Sequence, residues 1–201
     1  MSASRDAILN AIRSKTLEQT PLPTLEQEWI RFDDPTSQFG TVLESVGGKC
    51  VRCESLAAVQ ETLDDVVEFR TAVVRCSTVE GIGKPTLSID DVDDPHALET
   101  VDFAVLRGQF AVAENGAVWV TDAGLRHRVP YFLSQHLALI VPSSEVIPNM
   151  HEAYQRLTFE GRGFGCFISG PSKTADIEQS LVIGAHGPRS HIVFLVDSLD
   201  G

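Results

Sequence analysis

The sequence predicts an α/β fold, a mostly parallel sheet flanked by helices with a β-hairpin subregion. Helix-like and strand-like segments alternate from Phe39 to Cys76. Two nearly continuous apolar runs, His136 to Pro142 and His191 to Asp197, have the texture of parallel strands covered on both faces. Ahead of both, Asn115–Gly116 joins β-rich runs and is the strongest hairpin signal in the chain.

Taken in order, Ser4 to Lys15 reads as a short amphipathic helix with Ile8, Ala11 and Ile12 on one face. Residues 16–38 carry three prolines and scattered charges, which predicts an extended arm docked on its own domain or on a partner. The chain thus divides into a helix and arm, 1–38, and an α/β domain, 39–201. Phe39 to Val46 reads as a helix stopped by Gly47–Gly48, and Lys49 to Cys53 as a strand. Ser55 caps a helix running to about Phe69, and Thr71 to Cys76 is a further strand. The acid-rich segment after it reads as a solvated loop: counting from Asp90 or Asp91, it lacks the sixth-position glycine and twelfth-position glutamate of a calcium loop. Val101 to Gly124 holds two or three strands, Pro130 to Gln135 a short helix, and Ser143 to Leu157 a helix starting near Ser144 or Pro148.

Gly163 to Asp197 reads as strand, turn, helix and strand. The apolar run Phe164 to Ile168 leads into the turn GPSKT, and 174–183 has helical spacing up to a stop at Gly184. A strand-to-helix turn there would aim free backbone N–H groups, the Ser172 and Thr174 hydroxyls and the Lys173 ammonium at one volume suited to a phosphate or carboxylate. Gly170, Pro171, Ser172, Lys173 and Thr174 are therefore candidate ligand-binding residues, with Asp176 and Glu178 in the helix's first turn and with Asn115, Gly116 and Gly187 as further candidates. The same pattern also describes a capped crossover helix with no ligand.

At 201 residues and 43% hydrophobic content the chain is long enough for one domain burying roughly 70% of its unfolded surface. Sixteen basic against 28 acidic residues give a net charge of −12, with no basic run, which argues against a nucleic-acid partner. No apolar run approaches the roughly 20 residues of a membrane span and Met1 to Lys15 lacks a secretory core, so a cytoplasmic location is expected. Cys50, Cys53, Cys76 and Cys166 are then expected to be thiols. Cys50 and Cys53 make a CVRC pair, but it lies in a strand and no second CxxC answers it, so no metal site is predicted.

Glu114 stands directly before Asn115–Gly116. Displayed at a hairpin tip, its carboxylate suits a nucleophile or base; the plain alternative is an exposed glutamate beside a turn. His186 follows the predicted helix among Gly184, Gly187 and Pro188. It reads either as an acid or donor approached closely over Gly187, or as a partner of the helix's last carbonyls.

Four stretches, AVAENGAVWV, RHRVPYFLSQHLALIVPSSEVIPNMHEA, GPSKTADIE and LVIGAHGPRSHIVFLVD, together resemble the LUD-domain family and, within it, the lactate utilization C group. The resemblance is strong from Val101 to Asp197 and weaker at AILNAIR. It implies a component of bacterial L-lactate oxidation to pyruvate that works beside two partner proteins, of which one or both carry iron–sulfur clusters. It further implies a fold similar to the superfamily of sugar-phosphate isomerases and coenzyme A transferases. The transferases hold a nucleophilic glutamate in a similar Glu-Asn-Gly turn, which points to Glu114; the lactate group more often has threonine where this chain has Asn115. The resemblance names no cofactor, and the four scattered thiols give no reason to expect an iron–sulfur cluster on this chain. Three functions are carried forward. They are a subunit binding an anionic small molecule or cofactor at Gly170 to Thr174, an independent coenzyme A transferase- or isomerase-like enzyme using Glu114, and a pure interaction module.

Overall fold

The computed structural model describes residues 3–15, 20–158, 163–174 and 182–199. In chain order the elements are α1 (Ala3–Arg13), α2 (Pro35–Ser45), β1 (Lys49–Ser55), α3 (Leu56–Asp65), α4 (Val67–Thr71), β2 (Arg75–Ser77), β3 (Phe103–Arg107), β4 (Phe110–Val112) and β5 (Ala117–Thr121). They continue with α5 (Pro130–Leu133), β6 (His136–Pro142), β7 (Val146–Ile147), α6 (Met150–Arg156), β8 (Gly165–Ile168), β9 (Lys173–Thr174), β10 (Val182–Ile183) and β11 (Ser190–Ser198).

Five strands form one parallel sheet in the order β1-β11-β6-β3-β2. Alternation along its strands builds two cores. Phe103 and Val105, Ala138 and Ile140, and Ile192, Phe194 and Val196 face one way and bury Leu56, Val59 and Leu63 of α3 with Phe69 of α4. Ala104 and Leu106, Leu137, Leu139 and Val141, and Val193 and Leu195 face the other way, against Phe39 and Leu43 of α2 and against a second sheet. That second sheet, β7-β4-β5-β8, is mixed: β5 is antiparallel to β4 and β8, while β7 runs parallel to β4. Helices therefore flank the parallel sheet, and the mixed sheet adds a third layer. Among the described residues no helix is long and apolar enough to cross a membrane.

Local chemistry accounts for most boundaries. The Ser55 side chain accepts from Ala58 N–H to start α3, as read from sequence, but Val66 turns extended and splits the expected helix into α3 and α4. The expected strand 71–76 shortens to β2. Helix α2 begins before Phe39, because Asp34 caps Ser37 N–H at 3.0 Å and Pro35 occupies the first turn, so the expected arm turns helical near its end. Asn149 caps α6 through Glu152 N–H, so that helix begins after Pro148. The arm docks on α6: Trp29 stacks on His151, Arg31 pairs with Glu152 at 2.6 Å, and Ile30 C=O accepts from the Asn149 amide at 2.9 Å.

One expectation fails. Strand β8 lies antiparallel to β5 in the mixed sheet, not beside β11, so no crossover of a single sheet joins them. Lys173 and Thr174 then pair antiparallel with Ile183 and Val182, where a helix had been read. The β-branched Thr174, Val182 and Ile183 suit that ribbon. The body of the predicted helix, 175–181 with Asp176 and Glu178, lies outside the described residues.

Cys50 and Cys53 sit three residues apart on β1 and so project to opposite faces, one pairing in register with Val193 and the other with Val196. They cannot converge on one ligand. Burial pushes the Cys50 thiol up to about 11 and the Cys76 thiol up to about 12.

Candidate functional site

The segments Gly170–Ser172 and His186–Pro188 lie side by side above the amino ends of β6 and β11. Ser172 N–H donates to Pro188 C=O at 2.8 Å, and Gly184 N–H donates to Ser172 C=O at 2.9 Å. Gly187 permits this approach: a Cβ there would stand 3.0 Å from Ser172 Cβ and 3.1 Å from Phe132 C=O. Beneath the two segments a cavity of about 260 Å³ opens, walled by Tyr131, Phe132, Leu137, Cys166 and Ile168. Its polar groups come from Ser169, Ser172 and His186, and the backbone of Gly170, Pro171 and Gly187 completes the rim.

Two features govern what the cavity can hold. In a chain with 28 acidic residues the cavity's lining contains no carboxylate among the described residues. Lys173, though exposed in β9, folds its ammonium back over Gly170, with Nζ 3.3 Å from where a Cβ of that glycine would sit. Lys173 is not itself a lining residue, but apolar walls with hydroxyls at the mouth and an ammonium beside Gly170 suit a small acid with an alkyl body. Buried Tyr131 fixes one wall by donating to Arg107 C=O at 3.0 Å, and burial, then the Asp122 charge, raise its phenol to about 12. It therefore stays a neutral donor.

The anion-binding nest read from sequence needs correction at one atom. The Ser172 amide is occupied by Pro188 C=O, so that N–H is not free for an anion. Thr174 takes its place in the ribbon and does not line the cavity.

The Glu114 turn is built differently. Residues 113–116 form a four-residue loop, Gly116 has φ +63°, and a Cβ on it would lie 2.8 Å from the Leu43 nitrogen of α2. Glu114 is exposed, but its Oε2 accepts Met150 N–H, the first amide of α6, at 2.8 Å, and its own N–H donates to Pro148 C=O. Asn115 Oδ1 accepts from Ala117 N–H, and Asn115 C=O accepts from Ser169 Oγ at 2.9 Å. The turn thus touches the cavity only through Ser169. Tyr131, Phe132 and Ser169 escaped the sequence reading because their roles come from contacts distant in the chain.

A larger cleft of about 770 Å³ lies at the carboxyl ends of the parallel strands, where Arg107 shares the lining with Glu61, Asp64 and Glu80. That balance of charge disfavours an acid. Among the described residues no group of three or more His, Cys, Asp or Glu side chains is arranged to hold a metal ion.

Fold and cavity together define a layered α/β domain with a largely apolar pocket at the amino edge of its parallel sheet. The chain belongs to the LUD domain family, whose model matches residues 36–196. It is similar to lactate utilization protein C of Shouchella clausii (strain KSM-K16), 34% identical over 123 residues that cover 57% of this chain and 54% of that protein. It is also similar to lactate utilization protein C of Exiguobacterium sp. (strain ATCC BAA-1283 / AT1b), 30% identical over 167 residues, 75% of this chain and 72% of that protein. In several such relatives the matched region is about half of their length. A crystal structure of a DUF162 family protein from Deinococcus radiodurans superposes with a TM-score of 0.56, covering 81% of this chain and 96% of that one; at 18% identity the likeness concerns the fold alone.

Proposed function

We propose that the chain serves a bacterial L-lactate utilisation system in the cytoplasm, as a component that binds a small organic acid in the cavity under Gly170–Ser172 and His186–Gly187. The carrying observation is that, among the described residues, no carboxylate lines that cavity in so acidic a chain, while the Lys173 ammonium lies beside Gly170 of its rim. The names of the relatives supply the metabolic context. In this reading the acid's carboxylate meets Lys173, Ser172 and His186, and its alkyl part meets Leu137 and Phe132. Electron transfer belongs to iron–sulfur partners, and residues 1–38 form an appendage to the 39–201 domain.

The test is a thermal-shift screen of the purified chain against L-lactate, pyruvate, nucleotides, flavins and coenzyme A thioesters. A ligand at a hundredfold excess over its Kd stabilises by about 2.7 kcal/mol, a rise in Tm of roughly 5–10 °C for a domain of this size. Small acids are expected to give that rise; silence across the panel removes the reading. Lactate oxidation by the chain alone, with an added acceptor, would sink the subunit assignment.

Acyl transfer through Glu114 rests on the likeness of its turn to the transferases. Its carboxylate already holds the first amide of α6, a placement that serves the helix. No glutamyl adduct at Glu114 is expected after incubation with coenzyme A thioesters, and a hydroxylamine-sensitive mass increase there would restore this alternative.

A further inference from the structure

His191 stands at the second position of β11 with 1% of its surface exposed. Neither Nδ1 nor Nε2 has a hydrogen-bond partner among the described residues. Buried polar groups in native proteins are almost always paired, and an orphaned imidazole calls for a physical reason. Its place supplies one. In the parallel register His191 pairs with Leu137, so the two side chains are neighbours on the same face of the sheet. Leu137 lines the cavity described above, and so does Pro188, just ahead of β11; His191 stands directly behind these two lining residues and is not itself part of the lining. The face is the one toward the mixed sheet, shared with Val193 and Leu195.

We infer that His191 is the inner polar contact of this cavity, hydrogen-bonding the 2-hydroxyl or 2-oxo oxygen of a small acid whose carboxylate sits at the Lys173 mouth. The inference rests on the cavity being the acid site. Burial depresses the imidazole to about 4, so at neutral pH one ring nitrogen carries a hydrogen and the other a lone pair. A hydroxyl can match both and an oxo oxygen can match the donor, whereas an unsubstituted acid matches neither. Discrimination of this kind arises because a partner lacking the oxygen leaves the buried group unpaired.

The test uses the full chain with 15N-labelled histidine and four probes: L-lactate, pyruvate, propionate and acetate. Lactate and pyruvate are expected to raise Tm and to move the His191 ring 15N resonances; propionate, which keeps the carbon skeleton but lacks the oxygen, is expected to bind about 10- to 100-fold more weakly. His191→Phe should fold and lose the lactate preference over propionate, while His191→Gln, which keeps a donor and an acceptor, should recover part of it. If His191→Phe and the wild type prefer lactate equally, or the ring resonances stay still at saturation, the inference falls and the cavity reading stands. If no acid shifts the wild type, both fall.

Discussion

The chain contains two tight, glycine-bearing turns that display polar residues, and they have opposite fates. In the Glu114–Gly116 turn nearly every polar atom is engaged internally: the carboxylate on α6, the Asn115 side chain on Ala117, the Asn115 carbonyl on Ser169. In the pairing of Gly170–Ser172 with His186–Pro188 the backbone is engaged, but side chains at the rim face an open cavity. The difference teaches that a motif is available to a ligand only to the extent that the fold has left its hydrogen bonds unassigned.

Four measurements bear on that contrast. The largest effect is expected at Gly116, where a side chain must adopt φ +63° and press on the α2 backbone; Gly116→Val should cost about 2–4 kcal/mol in urea unfolding. A loss below 1 kcal/mol would mean the turn is not held against α2. Next is acid stability. His191 titrates near 4 in the folded chain but near 6.5 when unfolded, so the unfolded state binds the proton first as pH falls. Stability contributed by the neutral ring is present above about pH 6.5 and is lost toward pH 4, by up to about 3 kcal/mol. His191→Phe should flatten the pH profile of ΔG in that window, and an unchanged profile would refute the burial argument.

Smaller effects separate the two turns directly. Glu114→Ala removes the acceptor for Met150 N–H and should destabilise by about 1 kcal/mol, with Glu114→Gln keeping most of the stability. Both variants should leave the lactate-induced Tm shift intact, and a lost shift would bring Glu114 into the site. Lys173→Ala should change stability by less than about 0.5 kcal/mol, since the residue is exposed, yet weaken acid binding roughly tenfold. Unaltered affinity would remove the ammonium from the mouth.

Much of the architecture was legible because its signals are local. The nearly continuous apolar runs of β6 and β11, the Ser55 cap and the Asn115–Gly116 turn are written within a few residues. Asp34–Pro35 was an equally local start signal that the neighbouring prolines concealed. What was not legible is pairing at a distance. Nothing within Gly165–Ile168 says that it joins β5 rather than β11, and nothing beside Glu114 announces Met150 as its partner. The site was half visible for the same reason: the glycines of the two rim segments could be read, while the walls from α5 and β6 could not.

Strand β11 comes last among the elements yet lies between β1 and β6, so the central sheet remains split until residues 190–198 have emerged. During synthesis β1 must wait with its pairing edge open until β11 is made, and folding is expected to be slow, governed by contacts far apart along the chain. A nascent polypeptide halted before Ser190 should remain sensitive to protease throughout its β1 region, where the finished protein resists.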